Sequence, residues 1–446
     1  MSHLSNQELK AFWAARLDGA AAQQAIRHLL SGCESCRVRL WAAVPRKVLW
    51  SRSTAEREEI YDACIDRARE AVRPLEERWK DEAAFLEAAL EKARRESLAQ
   101  ARREYGGTWA YVELLHQLSF ESRYRDPGLM LHLAESAMRA AESMKSSPYG
   151  KSALFDLRAR VWTELANARR VNESFARSEL ALEEARSNLE KGSGSLLIQA
   201  RIYDIEASLR RAERQLEEAE ILLNRAYRIY LRLGERHLAG RALVKKASCR
   251  FLSSRPLESI HLYKRAIRLL DATRDPQLRA TAEHNLMDAM VEAGQFLEAE
   301  QLLLKSNLRQ IFADEPLNLA RLRWVEGKIM AGRDRLADAE RVLTEVREGF
   351  CYRRLELVSA IVGMDLAQVI LRQGDRQRAH ALASELRERA YDRNLPTQAK
   401  FAIVSFEQAA RHQVATPKMA HHVGRFLDRL RSNPNLEWTP ELMLVG

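Results

Sequence analysis

The residues best equipped for chemistry stand close together near the start of the chain: His28-Leu-Leu-Ser-Gly-Cys33-Glu-Ser-Cys36, with His3 upstream. Thiolates and imidazoles are the ligands zinc prefers, in a tetrahedron. Two cysteines separated by two residues can hold one ion from a single turn. Residues 20–30 read as a helix, which places His28 near its end. Gly32 lets the chain turn Cys33 and Cys36 back toward it. That makes three local ligands, and a structural site takes four. His3 is the best candidate for the fourth, folding back across a helix over 6–17. The alternative is a small apolar three-helix cap with two free thiols.

Nothing else in the chain has the spacing of a reaction centre, and the expectation is a protein that is not an enzyme, with no catalytic residues. Gly150-Lys151-Ser152 has the ending of a phosphate-binding loop, but Lys145 stands where that loop needs glycine. There is no His-Glu-x-x-His helix and no nucleophile elbow. Glu183/Glu184 and Glu217/Glu218 are expected to be solvated. His421 and His422 read as surface residues of a terminal helix. A zinc ion held by four protein ligands keeps no open position for substrate, so the metal is expected to be structural. The five cysteines, an odd and sparse set, argue against a disulfide framework. Cys64, Cys249 and Cys351 read as inert core residues.

The elements that carry these residues are helices. Glycine (18) and proline (11) are scarce in 446 residues, and Ala, Leu, Glu and Arg are abundant. A small residue opening a Glu/Leu-rich helix recurs at Ala134, Ser178, Ala219, Ser259, Ala299, Ala339 and Ala379, with spacings of 44, 41, 40, 40, 40 and 40. Seven residues after each come Ala141, Ala185, Ala226, Ala266, Ser306, Val346 and Leu386; twelve before, from the second unit on, come Ala166, Ala207, Ala247, Met287, Gly327 and Ala367. Small residues at matched depths let paired helices approach closely, while larger apolar residues fill the space between pairs. Gly294, Gly332 and Gly374 mark the turns, where a left-handed residue ends a helix. Pro276, Pro316 and Pro396 stand near the starts of first helices.

This pattern resembles the tetratricopeptide repeat family, over Leu115 to Asn394 in seven units, with a period longer than that family's usual one. The resemblance implies an all-α, right-handed superhelical solenoid. It also implies that certain first-helix positions face a concave groove: Arg160, Asn167 and Arg170; Arg201, Asp204 and Arg211; Arg241, Val244 and Phe251; His284; Arg321, Trp324 and Lys328. That row is basic, with two aromatics, and its natural ligand is an acidic peptide or helix of a partner protein. Residues 51–105 read as long charged connecting helices broken at Gly106-Gly107, residues 395–431 as two amphipathic capping helices, and 432–446 as a frayed tail.

Residues 1–50 form a separate module. Their stretch of His3, His28, Cys33 and Cys36 resembles the zinc-binding anti-sigma domain of bacteria, departing from it by one extra residue between His28 and Cys33. The resemblance implies a transcriptional regulator with a sigma factor, or the product of a neighbouring gene, as partner. The first 52 residues carry eight Lys/Arg against three acids, half of the chain's +10. An acidic partner surface follows from that, or nucleic acid, although no recognition helix or RNA-binding motif is present. No apolar run is long enough to span a bilayer and the start lacks the order of a secretory signal, so a cytoplasmic protein with no membrane contact is expected. The leading expectation is a protein-binding scaffold, ahead of the sigma-factor and nucleic-acid alternatives.

Overall fold

A computed structural model describes residues 3–14, 16, 17, 19–30, 33–43, 81–92, 98–123, 126–145 and 149–439. Gly32, Cys64 and most of the expected connecting helices lie outside these residues. Among the described residues there is no strand. The chain divides into two compact units, Met1–Leu209 and Arg210–Gly446.

The first unit opens with three short helices, α1 (Asn6–Trp13), α2 (Gly19–Leu30) and α3 (Glu34–Ala43). Leu4, Leu9, Ala25 and Cys36 form their small core. Residues 81–92 are helical and α4 (Leu98–Tyr105) follows. They are built into a core rather than spanning free: Ala89 and Ala101 are buried with Tyr111, Leu115 and Leu133. Glu82 also accepts from the Ala110 amide at 2.8 Å and the Tyr149 hydroxyl at 2.6 Å. Gly107 takes a left-handed conformation (φ 86°) and separates α4 from α5, as expected. Helix pairs then succeed one another: α5 (Trp109–Ser122) with α6 (Pro127–Ser143), α7 (Lys151–Val171) with α8 (Phe175–Lys191), then α9 (Leu196–Ala212), whose last three residues begin the second unit.

The second unit continues with α10 (Leu216–Arg232), α11 (Arg236–Leu252), α12 (Pro256–Leu269), α13 (Pro276–Glu292), α14 (Phe296–Lys305), α15 (Leu308–Ile311), α16 (Pro316–Gly332), α17 (Leu336–Tyr352), α18 (Glu356–Arg372), α19 (Arg376–Asp392), α20 (Thr397–Arg411) and α21 (Pro417–Ser432). Most of these helices are 17 residues long. Turns of about three residues complete a twenty-residue half-unit, so the long period comes from long helices. The seven anchor positions are all buried. Where the anchor is serine, its hydroxyl is satisfied across the helix pair: Ser178 Oγ donates to the Ala166 carbonyl and Ser259 Oγ to the Ala247 carbonyl, both at 2.8 Å. Those carbonyls belong to the small residues twelve positions earlier, so the two sequence columns meet in space.

Three repeat details depart from expectation. Gly332 is not the left-handed turn residue; Asp334 is (φ 62°). Gly332 closes α16, where an added Cβ would lie 2.1 Å from the ring of Phe296, so it is glycine for lack of room. Ser306 does not sit on a continuing second helix. It ends α14, its hydroxyl donating to the Leu303 carbonyl at 2.9 Å, and Leu308 and Phe312 supply the buried surface instead. Residues 433–439 are not frayed. Trp438 packs on Phe426, ring centroids 4.7 Å apart, and its indole N–H donates to Ser405 Oγ at 3.0 Å.

The cap α20–α21 also does more than close an end. Helix α21 is amphipathic: Ala420, Val423, Leu427 and Leu430 are buried in the core shared with α18 and α19, leaving His421, Arg425, Asp428 and Arg431 on the opposite face. Gly424 lets α21 press on α18, since a Cβ there would stand 3.2 Å from that of Met364.

Candidate functional sites: a groove chamber and a Cys–His cluster

The inner surface of the second unit bounds a cavity of about 600 Å3, open to solvent, between α11, α13, α16 and α18 on one side and the polar face of α21 on the other. Of the groove residues expected from sequence, Arg211, Phe251, His284, Arg321, Trp324 and Lys328 line it. Arg241 lies on α11 outside the lining, and Val244 is buried in the core.

The floor is a ladder of alternating charge. Lys328 Nζ donates to Asp288 Oδ1 at 2.5 Å and stands 5.3 Å from the centre of the Trp324 ring. The Trp324 indole N–H donates to Asp365 Oδ2 at 2.7 Å. On the opposite wall Arg425 pairs with Glu292 at 2.6 Å. Burial alone would drive the Lys328 proton off; Asp288, Glu292 and Asp365 outweigh it and hold the ammonium above its ordinary range. Burial also pushes against the Asp288 charge, but Lys328 wins and that carboxyl sits below its usual value. Asp365 goes the other way: burial raises it to about 6, against the pull of Lys328 and the Trp324 hydrogen bond. Burial lowers His284 and keeps it neutral near pH 7.

Sequence reading missed the acids Asp288, Glu292 and Asp365. The register held the signal: Asp288 follows Met287 as Lys328 follows Gly327, so the two occupy equivalent positions of successive units. It also missed the contribution of α21, although His421, Arg425, Asp428 and Arg431 recur at helical spacing.

In the first unit the expected cations are engaged internally. Arg201 grips Glu164 through two bonds of 2.7 and 2.9 Å and reaches the buried Asp204 at 2.8 Å. Arg160 pairs with Glu113, and Arg170 donates to Asn167 Oδ1 at 2.8 Å. Of the row that reads as basic in sequence, Arg160, Arg201 and Lys328 are neutralised in space, chiefly by acids on neighbouring helices.

The second site is the Cys–His cluster. Ser5 caps α1 and exchanges hydrogen bonds with Glu8 in a capping box, fixing the chain just after His3. Arg39 of α3 donates to Asn6 Oδ1 at 2.8 Å and ties α3 to α1. His28 lies in the last turn of α2, Cys33 precedes α3 and Cys36 opens it. Ligand atoms of His3, His28, Cys33 and Cys36 all lie within 4.8 Å of one another. A tetrahedron with zinc at 2.0–2.3 Å needs edges of roughly 3.3–3.8 Å. His3 Nδ1 stands 3.3 Å from Cys33 Sγ and 3.5 Å from Cys36 Sγ, which meets that demand. The four side chains match a zinc site in number and type; the two His3–Cys edges match it in length, and the full spread, up to 4.8 Å, is wider than a closed tetrahedron. Of the other cysteines, Cys249 is inert as expected, its thiol pushed up to about 11 by burial, and Cys351 lies half-buried beside Ser359 Oγ at 2.9 Å.

No protein-family model matches the chain, and no curated protein matches it. Solved structures do. One is a Rap protein complexed with competence and sporulation factor, at 11% identity and a TM-score of 0.50, covering 75% of this chain and 94% of that one. Aspartyl phosphate phosphatase F from Bacillus subtilis aligns at 13% identity and 0.47, covering 87% and 95%. The TPR-like repeats of a putative kinesin light chain from Podosopora anserina align at 19% and 0.33, covering 46% and 95%. Identities this low speak to fold alone, and the fold is an all-α solenoid of tetratricopeptide-like helix pairs. No helix among the described residues is long and apolar enough to cross a membrane.

Proposed function

We propose that this chain is a non-enzymatic adaptor that binds a partner protein or peptide on the inner faces of its repeats. The observation that carries the reading is the chamber of the second unit, where Arg211, Arg321, Phe251 and Trp324 are presented around a rigid, charge-paired floor. Arginine and tryptophan are frequent anchors of binding energy. The Rap structure complexed with competence and sporulation factor supports the reading by likeness of fold. Pairing along the floor narrows the expected preference for acidic ligands to Arg211 and Arg321. The test is capture of partners from the native cell, then Arg211→Glu: loss of the captured partner by about thirtyfold or more in affinity at an unchanged melting temperature is expected. Unchanged affinity would put the binding surface elsewhere.

A second reading concerns the N-terminal module. We infer that His3, His28, Cys33 and Cys36 hold one structural zinc ion, which ties α1, α2 and α3 together where their apolar core is small. A regulatory role for this module with a sigma factor as partner rests on its resemblance to anti-sigma domains. Co-purification with a sigma factor tests it; nucleic-acid binding would show instead as an affinity that falls steeply with salt.

A further inference from the structure

Helix α21 changes what the second unit can hold. An open concave face admits a helix or a long strand. Here the polar face of α21 forms the facing wall and leaves about 600 Å3, a volume typical of small-molecule sites. Most charges around that space are already paired. Lys328 is bound to Asp288, Arg425 to Glu292, Arg431 to Asp428, and Arg372 to Asp334 and the Ala331 carbonyl.

Two cations are left over. Arg211 Nε is buried and has no hydrogen-bond partner. Arg321 reaches only Asn318 Oδ1, at a long 3.4 Å. Buried polar atoms without partners are few in folded proteins, and each calls for an explanation. These line one cavity, together with the apolar surfaces of Phe251 and Trp324. Two surplus guanidinium groups select an anion, since the fork of N–H donors matches carboxylate and phosphate oxygens. His284, neutral because burial lowers it, has its one N–H on Nδ1 facing Asn285 Oδ1 at 3.3 Å, so its Nε2 is an acceptor and adds nothing to the grip on an anion.

We propose that the chamber binds a small organic oxyanion with a planar apolar body, its oxygens on Arg211 and Arg321 and its ring against Phe251 and Trp324. This ligand is a low-molecular-weight effector that uses the same residues as the adaptor reading, so ligand and partner chain compete for the chamber. Its chemistry, an oxyanion on a ring, can come from an aromatic carboxylate or an aromatic phosphate ester.

The full chain is titrated by calorimetry with indole-3-acetate, benzoate, phenyl phosphate and inorganic phosphate, and with the neutral isosteres indole-3-acetamide and benzamide. At least one aromatic anion is expected to bind at least about tenfold more tightly than its amide and than inorganic phosphate; which acid wins separates the carboxylate source from the phosphate one. Arg211→Gln/Arg321→Gln is expected to abolish that preference at an unchanged melting temperature. If the pair fails to fold, the single substitution Arg321→Gln is expected to weaken the same ligand. Equal binding of acids and amides, inorganic phosphate binding as well as the aromatic anions, no binding at 10 mM, or retained binding in a folded variant would each overturn the proposal. No partner protein enters the measurement, so its failure leaves the adaptor reading standing, and loss of partner capture leaves this one.

Discussion

Asp365 is the most informative single residue to change. Asp365→Asn keeps an oxygen to accept the Trp324 N–H and removes only the charge. The carboxyl titrates near 6 in the folded chain against an ordinary 3.8. A carboxyl raised on folding means that the folded state binds more protons between those two values. Its favourable state is therefore complete below 3.8 and is lost as pH rises through 6. At about 1.4 kcal/mol per pH unit, the ceiling on this penalty at neutral pH is about 3 kcal/mol. Asp365 faces a cavity that opens to solvent, and screening reduces the expectation to about 1–2 kcal/mol. Lys328 keeps Asp288 as counter-charge in the variant, so the substitution does not orphan it. Urea unfolding at pH 7.5 should show Asp365→Asn more stable than the parent by that amount, with the difference closing toward pH 4. A variant less stable at pH 7.5, or a difference independent of pH, would mean that the attraction between Asp365 and Lys328 exceeds the cost of burial, and the account of the groove floor would be wrong.

Three further outcomes follow from the geometry. Purified protein should carry about one equivalent of zinc, and Cys36→Ser should lose it while the repeats keep their melting transition; metal-free protein from a zinc-replete preparation refutes the cluster. Gly327→Val should cost about 1–3 kcal/mol, because a Cβ there already meets Leu343 Cδ2 at 2.8 Å; a thermal melt equal to that of the parent contradicts the close packing of α16 on α17. Ser254→Gly should raise stability by up to about 1 kcal/mol, since Ser254 holds a left-handed backbone (φ 58°) that glycine adopts without penalty; a lowered melting temperature counts against it.

The repeat was legible because its cause is local. Close approach of two helices demands a small residue at one depth, and seven units restate that demand every forty or so residues, from Ala134 to Ala379. The long period was legible too, but not its origin, which lies in helices of 17 residues joined by tight turns. Gly332 was misread because glycine has two uses. A turn signal and a need for space look alike in sequence, and only the ring of Phe296 at that spot separates them. His3, His28, Cys33 and Cys36 were legible as a group because few residue types bind zinc, and the capping box at Ser5 brings the distant His3 to the others.

Charge is where sequence reading fell short, for a reason general to solenoids. A first helix shows one face to the groove, and that face meets residues about forty positions away on the next first helix. Lys328 therefore reads as a free cation in its own helix but lies between Asp288 of the preceding unit and Asp365 of the following one. Arg201 likewise reads as a groove cation and is spent on Glu164, 37 residues earlier. Counting cations along the inward positions overstates the field that a ligand meets, because the acids come from a different register of the same face. What a ligand can use is the remainder after neighbouring units have paired, and in the chamber of the second unit that remainder is Arg211 and Arg321, opposite a helix that the repeat pattern does not contain.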